Sequence, residues 1–413
     1  MKIYLVGGAV RDELLGYPFK EKDWVVVGAT VDDMLAAGYQ QVGKDFPVFL
    51  HPETKEEHAL ARTERKTAAG YKGFEVHASA DVTLEDDLIR RDLTINAIAK
   101  DSEGKYIDPY GGIADIENKI LRHVSAAFTE DPVRILRVAR FMARYAHLGF
   151  TVASETLGLM ADMVANGEVD ALVAERVWQE MEKALREKTP AAFITTLRDC
   201  GALQRILPEL DCLFGVPQPA EHHPEIDTGI HTLMVLEQAC LLSDASDVRF
   251  AALVHDLGKG TTPVEEWPQH IGHEARGAKI VLKVCQRLRI PNEYRDLAEH
   301  TARFHLHYHR ALELKATTVV KTLEQLDAYR KPERFEKFLL ACEADARGRP
   351  GYENKIFLQG DFFRQAQRVT KNVDVQTLRD LGFEKLALAD KIREARIDIV
   401  KDLKNNFPES IAS

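Results

Sequence analysis

The sequence predicts an α+β protein, in which a mixed sheet with helices is followed by an all-α remainder. Up to about residue 125, short apolar segments rich in strand formers alternate with helical segments. From Ala126 onward the strand signals fade, and apolar residues recur at helical spacing. The 413 residues are enough for two to four domains. We expect four regions, at residues 1–125, 126–222, 223–347 and 348–413.

Composition narrows the class of protein. Hydrophobic residues make up 45% of the chain and charged residues 29%, which is typical of a globular protein. No apolar run approaches the roughly 20 residues that span a bilayer, so we expect no membrane association. Five scattered cysteines without CxxC spacing predict reduced thiols and a cytoplasmic location. Because the net charge is −10, any contact with nucleic acid must rest on locally concentrated Lys and Arg.

The string LVGGAVRDELLG at residues 5–16 predicts a strand, a glycine turn and a short helix. Backbone amides at the start of that helix, from Gly8 onward, together with Arg11 would form a cradle for a triphosphate. Glu21 and Asp23 follow at the start of the next strand, where residues two apart point to the same side. Paired carboxylates repel each other unless a hard cation lies between them, and Mg²⁺ is the usual cation where phosphate is the substrate.

This glycine turn followed by an acidic pair resembles the nucleotidyltransferase superfamily. The string GGAVRDELLG is similar to the corresponding motif of one branch, which contains CCA-adding tRNA nucleotidyltransferases and bacterial poly(A) polymerases. The string DLIRRDLTINA resembles the second motif of that branch. It lies on a helix that we expect over Leu84–Ala99. Between these motifs, Thr63–Ala80 predicts a loop. The family usually has Asp in place of Glu21, so Asp23 is the metal ligand that the resemblance supports better. The resemblance implies nucleotide contacts from Gly8, Arg11 and Arg91, and catalytic metal ligands Glu21 and Asp23.

The longest predicted helix opens with EDPVR at residues 130–134, and we expect Thr129 to cap it. Arginines recur along one face of this helix, with few acidic residues nearby in the sequence, at Arg134, Arg137, Arg140 and Arg144. Such a stripe is a candidate anion-binding surface. EDPVR resembles the EDxxR template motif of the same family. The resemblance implies that Glu130, Asp131 and Arg134 select the base, and that Arg137 and Arg140 bind phosphate or ribose.

A second group of candidate residues follows a proline-rich stretch, Phe214–Glu225, that predicts a linker. Adjacent His and Asp side chains in HDLGK, at residues 255–259, can reach a metal at a helix edge if other helices supply more ligands. The pattern resembles the HD phosphohydrolase domain, which implies the metal ligands His231, His255, Asp256 and Asp345. The same segment contains His273, His300, His305, His307 and His309. We interpret most of them as surface residues, leave open that some contact the metal ligands or face the substrate, and assign a role to none.

Over nearly the whole chain, the order of these motifs resembles the long bacterial CCA-adding enzymes. The resemblance implies that C-C-A is built on tRNA from CTP and ATP without a nucleic-acid template, with Mg²⁺ for transfer. It also implies HD-domain phosphatase, 2′-nucleotidase and 2′,3′-cyclic phosphodiesterase activities, for which Ni²⁺ is a candidate metal. The alternatives are a poly(A) polymerase, a CC-adding enzyme, or an HD-type phosphohydrolase with a degenerate head. Both a monomer and a homodimer fit the sequence.

Overall fold

The computed structural model describes residues 1–19, 21–42, 48–66, 74–77, 79–221 and 223–408. The chain divides into two compact units, Met1–Ile206 and Leu207–Ser413. The predicted α+β class is confirmed, because the described strands all lie in the first unit and the described elements of the second are helical. None of the described helices combines the length and apolar character that a membrane crossing requires.

The strands of the first unit are β1 (Lys2–Val6), β2 (Asp23–Val27), β3 (Gln40–Val42), β4 (Val48–Leu50), β5 (Glu57–Leu60), β6 (Thr63–Lys66), β7 (Phe74–His77), β8 (Ala99–Lys100), β9 (Tyr106–Ile107), β10 (Ile120–Leu121) and β11 (Thr151–Val152). Seven of them form one mixed sheet in the order β3-β4-β5-β2-β1-β8-β9. β1 and β2 are antiparallel, with Val6 opposite Asp23. This register places the glycine turn after β1 beside the start of β2, at one end of these two central strands.

The helices of the first unit are α1 (Gly8–Leu14), α2 (Val31–Ala36), α3 (Leu84–Ile89), α4 (Gly112–Asn118), α5 (Val133–Tyr145), α6 (Ser154–Ala165), α7 (Ala174–Leu185), α8 (Ala191–Asp199) and α9 (Ala202–Ile206). The sheet has an apolar cluster on each face, since successive side chains of a strand point to opposite sides. Val25 packs with Leu88 on one face, and Val26 packs with Met34 and Phe49 on the other.

Two predictions in the region before α4 are wrong. The helix expected over Leu84–Ala99 ends at Ile89, because the chain leaves it to pair with another segment. Leu93 forms a β-bridge with His123, and the Leu93 N–H is capped by Asp92 at 2.9 Å. The loop expected over Thr63–Ala80 contains the antiparallel pair β6–β7, and residues 67–73 and 78 of that prediction lie outside the described residues.

The expected cap of the arginine-rich helix is also wrong. Thr129 lies inside a short 3-10 helix, Ala126–Glu130, and donates a hydrogen bond to the Ala126 carbonyl. α5 begins at Val133, whose N–H donates to Asp131 Oδ1 at 3.0 Å. Asp131 therefore caps α5 from two residues upstream.

The helices of the second unit are α10 (Pro208–Asp211), α11 (Thr228–Leu242), α12 (Ser246–Val254), α13 (His273–Arg287), α14 (Asn292–His309), α15 (Ala316–Gln325), α16 (Pro332–Arg347), α17 (Leu358–Lys371), α18 (Val375–Asp380) and α19 (Lys385–Asn406). Helices α11, α12, α14 and α16 pack against one another. The arrangement brings side chains from distant parts of the sequence to one buried point.

The stretch predicted as a linker, Phe214–Glu225, is instead packed into the second unit at the positions given below, and residue 222 of that prediction lies outside the described residues. Gln218 is 2% exposed and accepts a hydrogen bond from Lys259 Nζ at 2.5 Å. The Pro217 carbonyl accepts a hydrogen bond from His270 Nε2 at 2.8 Å. Proline in this segment therefore sets an irregular but ordered backbone rather than a boundary between domains.

Candidate active sites in the two units

The first unit contains a cavity of about 600 Å³ beside the turn between β1 and α1. We call it the head cavity, and its lining residues are Gly7, Gly8, Arg11, Glu21, Asp23, Arg90, Arg91, Asp92, Asn96, Asp131, Arg134, Arg137, Arg140, Phe141, Arg144 and Arg176. Eight of these residues are arginines and four are carboxylates, so the lining favours an anionic ligand although the whole chain is acidic. The structure gathers here all the residues predicted for the nucleotide site except Glu130.

The glycine turn lies close to a guanidinium group. Gly7 has φ of 68°, a left-handed conformation that glycine adopts without strain. A Cβ atom at this position would lie 2.8 Å from Arg91 Nη1. Glycine at position 7 therefore permits both the turn and the close approach of Arg91.

Glu21 and Asp23 are exposed and line the same cavity, with Asp23 as the first residue of β2. Partial desolvation raises the pKa of Asp23, and the nearby Glu21 raises it further, while Arg91 opposes both effects. The raised pKa means that the second negative charge is disfavoured at this position. Two oxygen ligands under such repulsion fit a hard divalent cation.

Arg91 lies beyond the end of α3, and a carboxylate on α3 holds its side chain in place. Asp87 is 1% exposed, and its two oxygens accept hydrogen bonds from Arg90 Nη2 at 2.9 Å and Arg91 Nη2 at 3.1 Å. Burial opposes ionisation, but the two guanidinium groups outweigh it and lower the pKa of Asp87. Arg91 Nη1 also donates to the Asn96 carbonyl, which fixes the guanidinium beside the glycine turn.

The arginine stripe of α5 is paired, contrary to the prediction of few acidic partners. Its carboxylate partners are 45, 40 and 132 residues away: Arg137 donates to Asp92 at 2.6 Å, Arg140 to Glu180 at 2.6 Å, and Arg144 to Asp12 at 2.9 Å. Burial opposes the ionisation of Asp92, but the charge of Arg137 and the hydrogen bond from Asn96 outweigh it and hold the pKa of Asp92 well below its usual range.

Two of the three residues implied in base selection are held by contacts that the sequence did not predict. Asp131 accepts hydrogen bonds from Arg176 Nη2 at 2.9 Å and Nη1 at 3.3 Å. Arg134 donates to the carbonyls of Ala127 at 2.9 Å and Arg90 at 2.6 Å. Glu130 lines a different cavity, with Asp162 and Met163 among its neighbours.

Asp12 is a candidate positioning residue that the sequence did not predict. It is 5% exposed and accepts hydrogen bonds from Arg11 Nε, Arg144 Nη2 and Tyr145 Oη, each at 2.9 Å. Asp12 thereby connects α1 to the last turn of α5. The signal was available in the string GGAVRD, where Asp12 directly follows Arg11.

The second unit contains a buried group of imidazoles and carboxylates that we call the HD cluster: His231, His255, Asp256, His273, His305, His309 and Asp345. The structure brings the four predicted metal ligands together here. His231 Nε2 lies 3.1 Å and His255 Nε2 3.6 Å from Asp345 Oδ1. His255 Nε2 also lies 3.2 Å from Asp256 Oδ2. These four residues are at most 4% exposed.

Backbone carbonyls orient the imidazole rings of this cluster. His255 Nδ1 donates to the Ala252 carbonyl at 2.7 Å, and His231 Nδ1 donates to the Gly348 carbonyl at 3.1 Å. Because a carbonyl only accepts, each ring directs Nε2 toward the carboxylates. Burial opposes a charge on His255, yet Asp256 and Asp345 outweigh it and raise its pKa to about 10. The site therefore favours a cation at Nε2, which is the requirement for a metal site.

Several members of this region were missed or misinterpreted from the sequence. His273 and His305 are 7% and 2% exposed, so these two do not belong to the surface histidines, and the sequence had assigned them no role. His309 Nε2 lies 2.6 Å from Asp345 Oδ2. Glu225, from the supposed linker, has Oε1 2.8 Å from His231 Nδ1. Lys259 Nζ lies 2.6 Å from Asp256 Oδ2, and its signal was present in HDLGK.

Comparison with known families divides the chain into three matched segments. Residues 3–122 match the poly A polymerase head domain, residues 149–213 match a family described as a probable RNA and SrmB-binding site of polymerase A, and residues 228–333 match the HD domain.

Solved structures with a similar fold span nearly the whole chain. They include a CCA-adding enzyme complexed with ATP (TM-score 0.65, 18% identity, 100% of this chain and 92% of that one). A second is the Thermotoga maritima CCA-adding enzyme complexed with tRNA (TM-score 0.64, 18% identity, 98% of this chain and 92% of that one). A third is the Bacillus stearothermophilus CCA-adding enzyme in complex with CTP (TM-score 0.60, 23% identity, 99% of this chain and 90% of that one). At these identities the similarity shows the fold alone.

Relatives of high sequence identity show the family. The chain is 63% identical over 404 residues to the multifunctional CCA protein of Thioalkalivibrio sulfidiphilus, covering 98% of this chain and 99% of that protein. It is 60% identical over 404 residues to the multifunctional CCA protein of Teredinibacter turnerae, covering 98% of each. The chain therefore belongs to the family of multifunctional CCA proteins, and it is a CCA-adding nucleotidyltransferase that also contains an HD domain.

Proposed function

We propose that the head cavity adds or repairs the 3′-terminal CCA of tRNA, using CTP and ATP without a nucleic-acid template. The observation that supports this proposal is one cavity in which a carboxylate pair faces eight arginines beside a glycine turn. Nucleotidyl transfer needs these two elements, a divalent cation and fixed positive charge around the triphosphate. Solved CCA-adding enzymes of similar fold are complexed with ATP, CTP or tRNA.

The carboxylate pair and the arginines divide the chemistry of transfer between them. Glu21 and Asp23 would hold Mg²⁺, which when bound neutralises charge on the phosphates. Asp23 would also orient the tRNA 3′-hydroxyl, whose oxygen attacks the α-phosphorus as diphosphate leaves on the opposite side. Arginine side chains of the cavity and the amides after Gly7 would hold the triphosphate and ribose, and the arginines assigned this role are Arg11, Arg91, Arg137 and Arg140.

Base selection would rest on Asp131 and Arg134. Cytosine and adenine each present an amino donor beside a ring-nitrogen acceptor, whereas uracil and guanine present a carbonyl beside an N–H. A carboxylate accepts and a guanidinium donates, so this pair matches the first pattern and opposes the second. Arg176 holds the carboxylate of Asp131, and two carbonyls hold Arg134, which pre-organises both groups. We leave Glu130 out of this pair because it lines another cavity.

The HD cluster would perform the accessory reactions, as a phosphatase, a 2′-nucleotidase and a 2′,3′-cyclic phosphodiesterase. The residues that would hold a divalent ion, for which Ni²⁺ is our candidate, are His231, His255, Asp256 and Asp345. Such an ion, when bound, makes water a stronger nucleophile at neutral pH. Lys259 places a further positive charge beside Asp256, where it would attract a phosphate group.

We also propose the four regions 1–125, 126–222, 223–347 and 348–413 as head, neck, HD domain and helical tail. The family match at residues 149–213 supports an RNA-binding role for the neck. The enzyme would act as a monomer or homodimer in the cytoplasm, where tRNA is its partner.

The experiment that tests the proposal uses a tRNA transcript that ends at the discriminator base. The purified chain is incubated with CTP and ATP, and the 3′ ends of the products are sequenced. We expect C-C-A and then no further addition. A long adenosine tract would show a poly(A) polymerase, C-C alone would show a CC-adding enzyme, and an unchanged end would leave only the HD-type phosphohydrolase.

A further inference from the structure

We propose that residues 348–359 of the second unit bind the terminal nucleoside of the RNA ends on which the HD cluster would act. The ligand is a nucleotide with a 2′-phosphate or a 2′,3′-cyclic phosphate. Its base would stack on Tyr352, and the phosphates of the preceding nucleotides would contact Arg349 and Lys355. This inference rests on the proposed HD function and adds to it a site that recognises the nucleoside rather than the phosphate to be hydrolysed.

The 348–359 segment is joined to the HD cluster at both of its ends. The Gly348 carbonyl accepts a hydrogen bond from His231 Nδ1 at 3.1 Å. A Cβ atom at position 348 would lie 2.5 Å from Val235 Cγ2, so glycine permits this close contact with α11. At the other end, Gln359 Nε2 donates to the His309 carbonyl at 3.5 Å. The residues in between therefore form a loop whose two ends are fixed at the HD cluster.

His309, at which the segment ends, is the most exposed member of the HD cluster. Its side chain is 18% exposed and its Nε2 lies 2.6 Å from Asp345 Oδ2, whereas the side chain of His231 is 0% exposed. A substrate phosphate has to reach the cluster from its exposed side. Because a single ribose joins this phosphate to the base, the base comes to lie on the protein surface beside the cluster.

Two successive turns bring a tyrosine and two cations of this segment together. The Tyr352 N–H donates to the Arg349 carbonyl at 2.9 Å, and the Lys355 N–H donates to the Tyr352 carbonyl at 3.0 Å. Arg349 Cζ lies 5.7 Å and Lys355 Nζ 4.6 Å from the centre of the Tyr352 ring. Lys355 Nζ also lies 6.0 Å from the centre of the Phe357 ring. The loop thus presents two aromatic rings with cations beside them.

This combination of groups fits a nucleotide. Sites for single-stranded nucleic acid pair aromatic faces, on which bases stack, with cations that contact the phosphates. Ile356, which is 66% exposed, adds apolar surface beside the exposed Lys355. The carboxylate of Glu353 accepts a hydrogen bond from the Gly351 N–H at 3.1 Å, so it is engaged within the loop. Exposed cation–π contacts are weak, so an entering base can displace the ammonium group from Tyr352 toward a phosphate.

The first test measures binding and does not depend on turnover. The probe is 2-aminopurine riboside 2′-phosphate, whose fluorescence is quenched when the base stacks. The probe is mixed with the full chain in a stopped-flow instrument, so that the amplitude is read before hydrolysis. We expect quenching by wild type and by Tyr352→Phe, and about tenfold weaker binding by Tyr352→Ala, which has no ring.

Tyr329→Ala is the matched control for this titration. Tyr329 is also a partly buried tyrosine of the second unit, and Arg396 Cζ lies 4.0 Å from the centre of its ring. It lies outside the 348–359 segment, so this variant should bind the probe as wild type does.

The second test separates recognition of the base from recognition of the phosphate. Tyr352→Ala should raise KM for 2′,3′-cyclic AMP about tenfold and leave kcat unchanged, because stacking is equally strong in the ground state and the transition state. Methyl riboside 2,3-cyclic phosphate has the same sugar without a base, and its KM should be equal for both proteins. Tyr352→Phe should restore the wild-type KM for 2′,3′-cyclic AMP.

The contact with phosphates is tested with an RNA oligonucleotide that ends in a 2′,3′-cyclic phosphate. Lys355→Gln should reduce the slope of the logarithm of the binding constant against the logarithm of the salt concentration by about 0.7, since one phosphate contact is lost. An unchanged slope would remove Lys355 from the site.

The inference is overturned if wild type does not quench the probe, or if Tyr352→Ala binds and hydrolyses as wild type does. It is also overturned if Tyr352→Ala loses equal activity on the substrate without a base, because the ring would then have only a structural role. Quenching that depends on Tyr352, in a protein that hydrolyses neither substrate, would instead reject the proposed HD reactions and leave this nucleotide site in place.

Discussion

The head cavity gathers guanidinium groups, whereas the HD cluster gathers imidazoles and carboxylates. In the head cavity, the arginines of α5 form ion pairs with carboxylates from other elements, so the cations are already compensated. In the HD cluster, the buried atoms His255 Nε2 and Asp256 Oδ1 form no hydrogen bond with any described residue. The arginines of α5 and the HD cluster therefore differ in how far the polypeptide satisfies its own polar groups, although Arg91 Nε in the head cavity is also buried without a partner among the described residues.

Because their polar groups are satisfied to different extents, we expect the two sites to respond differently to the absence of a ligand. Ion pairs keep the head arginines oriented, so an incoming triphosphate meets a pre-organised surface at little further entropic cost. The HD cluster holds buried polar atoms that lack hydrogen-bond partners among the described residues, and burial without a partner is costly. We expect the head to keep its structure without ligand, and the HD cluster to gain stability from its metal.

The largest expected effect is loss of nucleotide addition in Asp23→Ala. Removing a metal ligand should cost several kcal/mol of transition-state stabilisation, which is roughly a thousandfold or more in rate. Addition of radiolabelled CMP to tRNA measures the rate, and hydrolysis of a 2′,3′-cyclic phosphate should stay unchanged. Asp32→Ala, an exposed carboxylate on α2, is the matched control. Activity of Asp23→Ala within about tenfold of wild type would remove this residue from the mechanism.

The reciprocal change, His255→Ala or Asp256→Ala, should slow metal-dependent hydrolysis of the cyclic phosphate about a hundredfold or more, because a side chain proposed to hold the ion is removed. CCA addition by the same proteins should remain at the wild-type rate. Hydrolysis that persists in both variants would show that the HD motif has only a structural role here.

A smaller effect is expected on base choice. Asp131→Ala should lower the preference for CTP and ATP over UTP and GTP by at least about a hundredfold, since the accepting partner is lost. Arg176→Ala keeps the Asp131 carboxylate but removes the guanidinium that holds it. We therefore expect the preference for CTP and ATP over UTP and GTP to fall roughly tenfold. Arg186→Ala, at the C-terminal end of α7, is the matched control for Arg176. Unchanged rate and fidelity in Asp131→Ala would mean that this residue only caps α5.

The smallest effect concerns stability. Asp92→Asn should destabilise the first unit by about 1–3 kcal/mol at pH 7, because Arg137 loses a charged partner. The lowered pKa of Asp92 means that its contribution is present above the unfolded pKa of about 3.9 and declines as the pH falls further. The difference in unfolding free energy between wild type and Asp92→Asn should therefore shrink below about pH 4.

Urea unfolding in a Trp267→Phe background measures this difference, because the remaining tryptophans, Trp24 and Trp178, both lie in the first unit. A difference between wild type and Asp92→Asn that stays constant from pH 7 to pH 3 would contradict the assigned ion pair.

The sequence by itself determined the features that lie within short strings. The α+β class followed from hydrophobic periodicity, and the glycine turn, the acidic pair at the start of β2 and the His-Asp dipeptide were visible as motifs of a few residues. Each depends on local backbone geometry and on side chains close together along the chain, so no knowledge of distant contacts was needed.

Only the tertiary structure decided which groups are paired and which are buried. The carboxylates Asp12, Asp92 and Glu180 lie 40–132 residues from the arginines they bind, a separation at which no periodic pattern operates. The same holds for His273 and His305, which look like ordinary polar residues of a helical segment until α13 and α14 pack and direct them at Asp256. Electrostatic partners and burial are properties of the packed elements, because the distance between charges and their access to water are set only when those elements meet.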